Sequence, residues 1–285
     1  MIPDAREPVP EPTDEEICRL ERVASASWPP LEEVLFGGWC VGSSGAYTRR
    51  ANCVSPHGPV PPGTALVQRI EEVEAHYAAR ARPPVFKMTQ AAQPEELDAA
   101  LEARGYERHS ETLVMVLPGG ARSPEAGEAN RVVEGRFERF ENVFTPAWLE
   151  ASCLFSKVPS VRRSDYEAIL GRLRTQGRGC AFGAWFVEDR IRSVALGVLV
   201  EGITSFHQVA TDPDMRGRGY ASRVLRGLLE SEMNTQAAPA GGAEPGPPQR
   251  ATSAMLSVEA ENAAARRLYD RLGFREVYRL SLIHI

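Results

Sequence analysis

The chain has no long apolar run, almost no lysine and no paired cysteine motif, and each lack excludes something. Apolar stretches are of the size of Val194 to Val200, far short of the about 20 residues of a membrane-spanning helix, so no membrane partner is expected. The N-terminus, Met1-Ile2-Pro3-Asp4-Ala5-Arg6-Glu7-Pro8, has no basic stretch leading into an apolar one, so no signal peptide is expected. The five cysteines, Cys18, Cys40, Cys53, Cys153 and Cys180, are odd in number and form no C-x-x-C pair. That speaks against a disulfide framework and a zinc site, and suits reduced thiols in a cytoplasm. Cys53-x-x-x-His57 lacks two further ligands, so no metal is expected. A basic excess is also missing: 33 Lys and Arg face 38 Asp and Glu, a net charge of -5, and a nucleic-acid partner is not expected. Lys87 and Lys157 are the only lysines; arginine supplies every other cation, which reads as composition bias.

What is present is ordinary globular sequence, 43% hydrophobic and 25% charged over 285 residues, or about two domains. Residues 1–20, with Pro3, Pro8, Pro10 and Pro12, read as a flexible tail. Residues 21–120 read as a first mixed α/β domain. Two strands are expected between 38 and 54 around a Gly42-Ser43-Ser44-Gly45 turn. Leu66, Ile70, Val73 and Tyr77 recur at helical spacing. Strands at 85–88 and 111–117 flank a helix opened by Pro94 and closed by Gly105. Residues 121–130 read as a linker and 131–285 as a second domain. There, helices are expected near 146–156, 163–175, 219–233 and 262–272. Strands are expected near 179–187, 192–200, 203–210, 252–258 and from 275, with a Pro- and Gly-rich loop at 234–250. Leu101-Glu102-Ala103-Arg104-Gly105-Tyr106 and Tyr269-Asp270-Arg271-Leu272-Gly273-Phe274 repeat one pattern of helix, glycine cap, aromatic and strand, as a weak internal duplication would.

Chemistry concentrates in 205–222, which reads strand, turn, glycine-rich loop, helix. Ala221, Val224, Leu225, Leu228 and Leu229 follow one helical face, so the helix starts at the loop. Gly217 and Gly219 let backbone N–H groups turn toward a ligand, and a helix start is suited to an anion such as a pyrophosphate. Arg216 and Arg218 add charge and Ser222 a hydroxyl. The stretch has neither the lysine of a P-loop nor the third glycine of a dinucleotide fingerprint. On glycines alone, a tight turn without a ligand stays open.

Arg216-x-x-Gly219-x-Ala221 after Val209-x-x-x-Pro213 resembles motif A of the GNAT family, the general-control-related N-acetyltransferases. Downstream, Leu256-x-Val258-x-x-x-Asn262-x-x-Ala265-x-x-Leu268-Tyr269-x-x-x-Gly273-Phe274 resembles motif B. The match spans about 131–285, and the first domain is similar to a degenerate copy, as in tandem members. It has no R-x-x-G-x-G/A run, so no CoA site is carried over to it.

The resemblance implies an α/β fold built on a mixed sheet, the GNAT acyl-CoA N-acyltransferase fold in two tandem domains, with two parallel strands, 203–210 and 252–258, splaying apart. It implies acetyl-CoA as co-substrate, its pyrophosphate on the amides of Gly217, Arg218, Gly219, Tyr220, Ala221 and Ser222. Its pantetheine would add to the edge of Val209, Ala210 and Thr211 as an extra strand. The acceptor would be a primary amine of a small molecule or peptide, attacking directly in a ternary complex. Tyr269 holds the position of the family's acid for the leaving thiolate, and also lies in a core stripe with Ala265, Leu268 and Leu272. Asn262 is placed as a helix N-cap and as a contact to the CoA arm. Candidate bases are His207, on the strand leading into the site, and Glu259, just past the other strand, with Glu201 behind them; a buried structural histidine is the rival for the first. Arg49 and Arg50, in a Tyr47–Asn52 stretch similar to a strand of tandem members, could bind an acidic substrate or a CoA phosphate, or be solvated. Cys153 and Cys180 read as small buried residues. A non-catalytic acyl-CoA-binding module remains the alternative, and the sequence admits a homodimer.

Overall fold

The computed structural model describes residues 11–45, 48–58, 61, 63, 65–119, 134–177, 179–234 and 251–285. The expected linker, residues 235–250 of the expected loop, and Tyr47 lie outside the described residues. Helix α1 (Asp14–Ser27) begins inside the span read as a tail, which corrects that boundary. Thr13 and Glu16 form a reciprocal cap: the Glu16 amide donates to Thr13 Oγ1 at 3.2 Å and the Thr13 amide donates to Glu16 Oε2 at 2.9 Å. Ile17 and Val23 are then buried.

The first half continues with β1 (Glu32–Phe36), β2 (Trp39–Ser43), β3 (Val54–Ser55), α2 (Leu66–Ala78), β4 (Val85–Met88), α3 (Leu97–Glu102) and β5 (Glu107–Leu117). The expected turn at 42–45 is corrected to Gly37-Gly38. Both glycines have positive φ (51° and 87°), the conformation a two-residue hairpin needs between Phe36 and Trp39. Gly42 lies within β2, its carbonyl accepting from Tyr77 Oη at 2.7 Å. The second half runs β6 (Arg136–Glu141), α4 (Pro146–Phe155), α5 (Arg163–Thr175), β7 (Gly179–Val187), β8 (Arg190–Val200), β9 (Ile203–Thr211), α6 (Tyr220–Asn234), β10 (Ser253–Glu259), α7 (Ala263–Arg271) and β11 (Arg275–His284).

Among the described residues, all eleven strands join one sheet in the order β1-β2-β3-β4-β11-β5-β10-β9-β8-β7-β6. The order is near-symmetric about the β11–β5 pair. Each half places a parallel pair next to the centre, β3 with β4 and β9 with β10. Each half also lends its last strand to the other, so that β5 pairs with β10 and β11 with β4. The helix ends repeat as well. Gly105 and Gly273 have φ of 86° and 93°, and the next amide turns back to the helix in both, Tyr106 to the Leu101 carbonyl and Phe274 to the Tyr269 carbonyl.

In the second half the alternation of β8 decides the layers. Val194, Leu196 and Val198 face a core built with α4, α5 and, from the first half, α1. Ala195 faces a core built with α6 and α7. A third core lies under α2 and α3. Within the first half, Lys87 of β4 and Glu21 of α1 form a buried ion pair at 2.5 Å, and Tyr278 of β11, from the second half, donates to Glu21 Oε1 at 2.7 Å. Lys87 holds the Glu21 carboxyl below its usual range against the effect of burial.

Candidate active site

β9 and β10 pair from Ile203 with Ser253 to Phe206 with Leu256 and then separate. Each follows its outer neighbour: β9 stays on β8 to Thr211, and β10 stays on β5 to Glu259. Beyond Phe206, the backbone of β9 therefore has no partner in β10. A bulge sharpens the divergence. Val194 pairs with Ala210 and Leu196 with His207, so Ala195 alone faces Gln208 and Val209. Gln208 takes a φ of +51°.

The chain then turns through Pro213–Met215 into the glycine loop. Arg192 holds this turn through an ion pair to Asp212 at 2.7 Å, and the Asp214 amide donates to Asp212 Oδ1. Gly217 and Gly219 have φ of 75° and 83°, which side chains rarely tolerate. The Arg223 amide donates to the Gly219 carbonyl, so Gly219 stands at the cap and the amides of Tyr220, Ala221 and Ser222 form the first turn, without intrahelical acceptors.

These elements enclose a groove of about 700 Å³. Val209, Ala210, Thr211, the seven residues Arg216 to Ser222, and Asn262 all line it, together with Tyr269. Arg216, Arg218, Arg223, Arg226, Arg267 and Arg271 also lie on its walls, and among the described residues no acid does. A helix start, a strand edge and six arginines suit a ligand with several phosphates and an extended amide arm, and so fit acetyl-CoA. Asn262 caps α7, its Oδ1 accepting from the Ala265 amide at 3.1 Å. Tyr269 is buried with its ring against Phe274. Among the described residues no group hydrogen-bonds its hydroxyl, and burial, opposed by Arg50, pushes its phenol up to about 12.

The proposed bases are not brought there. His207 is a correction: it is fully buried, on the face of β9 away from α6 and α7, its Nε2 3.0 Å from Ser27 Oγ and its Nδ1 3.1 Å from Arg50 Nη1. Burial and the Arg50 charge hold it well below the usual imidazole range. With both nitrogens engaged it can take no proton from an amine. Glu259 is exposed at the end of β10, opposite Thr112 of β5, and does not line the groove. Glu201 lies at the far end of β9, beside Arg19. Among the described residues no cluster of His, Cys, Asp or Glu could hold a metal.

Family comparison agrees with this geometry. A family model described as "Acetyltransferase (GNAT) domain" matches residues 175–276, and one described as "Probable histone acetyltransferase Rv0428c C-terminal" matches residues 14–135. The uncharacterized N-acetyltransferase YobR of Bacillus subtilis (strain 168) is 24% identical over 264 residues, covering 92% of this chain and 96% of that protein. A GCN5-related N-acetyltransferase from Kribbella flavida superposes with a TM-score of 0.61 at 17% identity, covering 93% of this chain and 94% of its own. A tandem GNAT protein from the clavulanic acid biosynthesis pathway superposes with the same TM-score at 14% identity, covering 97% and 90%.

The chain has the tandem GNAT fold, and its second half carries the GNAT domain match. Its two GNAT halves are unequal where the chemistry lies. The repeated helix ends put Leu101 in the first half where Tyr269 stands in the second, so the first has no phenol at that position. Among the described residues β3 meets β4 at Val54 and Phe86 alone, and Glu21 and Lys87 form a buried pair. The GNAT groove also has walls that the motifs did not announce: Phe155 and Ser156 from the end of α4 and the arginines of α6 and α7. The spacing of Arg267 and Arg271 on one face of α7 was a usable signal. The Arg192–Asp212 anchor joins two strands and left none.

Proposed function

We propose that this tandem GNAT protein transfers an acetyl group from acetyl-CoA to a primary amine of a small molecule or peptide, by direct attack in a ternary complex. The reading is carried by one observation: a single groove holds first-turn amides of α6, the unpaired edge of β9 and the phenol of Tyr269. When bound, acetyl-CoA supplies a thioester whose carbonyl carbon the amine attacks, forming the C–N bond as the C–S bond breaks. The amides of Gly217 to Ser222, with Arg216 and Arg218, hold the diphosphate. The edge of Val209 to Thr211 aligns the pantetheine arm, and backbone N–H groups there stabilise negative charge on the carbonyl oxygen. Tyr269 gives its proton to the departing sulfur and regains one from water; a phenol near 12 stays protonated at neutral pH, so the proton is in place when the thiolate leaves. The proton lost by the amine passes to water at the open side of the groove.

The test is turnover of acetyl-CoA against a panel of amino acids, polyamines and lysine-containing peptides, followed by mass spectrometry and thiol release. The expected result is an N-acetylated product with one free thiol per transfer. Tight CoA binding with no product from any amine would instead identify a non-catalytic acyl-CoA-binding module.

A further inference from the structure

The bulge that opens the groove is gripped from the other half of the chain. A strand pleat should alternate faces. Here Phe206 and Val209 pack with α6 and α7, while His207 and Gln208, adjacent in sequence, both reach helices of the opposite layer, to Ser27 of α1 and Ser156 after α4. That arrangement depends on the left-handed φ of Gln208, which persists only where its surroundings hold it.

Those surroundings are specific. A guanidinium donates and cannot accept, so His207 Nδ1 is the acceptor of the 3.1 Å bond from Arg50. The proton therefore sits on Nε2 and is donated to Ser27 Oγ at 3.0 Å. Ser27 in turn donates to the Ala24 carbonyl. The ring packs on Trp28 at 5.1 Å, whose Nε1 donates to Thr48 Oγ1. Arg50 projects from a braced loop: Asn52 Oδ1 accepts from the Ser44 amide and Arg82, Asn52 Nδ2 donates to the Thr48 carbonyl, and Cys53 Sγ donates to the Arg50 carbonyl. Ser27, Trp28 and Arg50 all belong to the first half, whereas the residues that line the groove belong to the second.

We propose that Arg50 is a positioning residue for acyl transfer, acting through the neutral His207 ring to fix the bulge and so the β9 edge that meets the thioester. The first half is then a working part of the active site. The proposal rests on the acetyl-transfer reading for its kinetic consequence, but not for its structural one. Arg50 also lies close enough to Tyr269 to pull the phenol downward against burial, so the same side chain touches the site electrostatically.

The experiment compares wild type, Arg50→Ala and Arg50→Lys. Arg50 is exposed, so all three are expected to fold, which urea denaturation checks. Readouts are ¹⁵N chemical shifts of the His207 ring, hydrogen exchange of amides 208–211, CoA affinity by calorimetry, and kcat with the amine that wild type acetylates fastest. In Arg50→Ala the His207 ring loses its single tautomer and amides 208–211 exchange at least tenfold faster. There kcat falls at least tenfold while CoA affinity stays within threefold, because the diphosphate site is untouched. Millimolar guanidinium restores part of the rate, and Arg50→Lys is intermediate. Unchanged ring shifts and exchange in Arg50→Ala overturn the proposal, as does a kcat within twofold of wild type. A wild type that binds CoA but turns over no amine refutes the acetyl-transfer reading instead, and the ring shifts and exchange still decide the clamp.

Discussion

Tyr269→Phe removes one oxygen and leaves the ring. The ring packs against Phe274 with centroids 6.1 Å apart, and the hydroxyl has no hydrogen-bond partner among the described residues. Unfolding free energy should therefore stay within about 0.5 kcal/mol of wild type. The groove keeps its loop amides and arginines, so CoA affinity should hold within about threefold. The rate should not. Loss of a general acid costs about 10²- to 10⁴-fold, or about 3 to 5 kcal/mol of barrier at 1.36 kcal/mol per decade. The assay is steady-state kcat by thiol release, paired with urea denaturation and CoA calorimetry. Burial holds the phenol at about 12, so its deprotonation contributes no falling limb to the pH–rate profile below about pH 11. Two results would refute the reasoning: a kcat for Tyr269→Phe within threefold of wild type, or a falling limb near pH 8 that disappears in the variant.

The interlocked halves and the groove make further predictions. Lys87→Met leaves Glu21 charged and buried, with side chains 5% and 3% exposed in the native pair, and should cost about 3 to 5 kcal/mol in urea denaturation; adding Glu21→Gln should recover most of that loss. Acidification should destabilise the fold through its buried neutral imidazoles. His57 is pushed down to about 4 by burial, chiefly, against about 6.5 unfolded. The unfolded chain thus binds more protons between those values, and stability rises with pH across that window. Near pH 5 the His57 contribution should be about 2 kcal/mol lower than at pH 7.5, a difference that denaturation of His57→Gln at both pH values should lack. Arg216→Ala should weaken CoA binding about tenfold at low salt and less at high salt, measured by calorimetry, since its contribution is to a charged ligand.

Much of the second half was legible because its signals are local. The run from Arg216 to Ser222 needs positive φ at two glycines and an amphipathic helix directly after them, and both leave marks in sequence. α5 shows Tyr166, Ile169, Leu170 and Leu173 buried on one face, at the spacing that predicts a helix. The cap of α1 was equally local, with Thr13 three residues before Glu16, but the prolines just upstream masked it. β1 was hard to read because its side chains are largely exposed, so no alternation marks a buried face. The lending of β5 and β11 between halves had no signal at all: a strand facing a core reads alike whichever neighbour it pairs with. His207 failed as a base for the same reason. Its partners, Ser27 and Arg50, lie more than 150 residues away, and only the folded chain brings them to the ring.

The central claim is that the start of α6 and the freed edge of β9 together hold CoA. Titrating CoA into ¹⁵N-labelled protein and following the backbone amides tests it most directly. The account predicts saturable shifts concentrated at Gly217, Gly219 to Ser222 and Val209 to Thr211, with the amides of α2 and α3 unmoved. Shifts absent from those two segments at millimolar CoA, or centred in the first half, would contradict it.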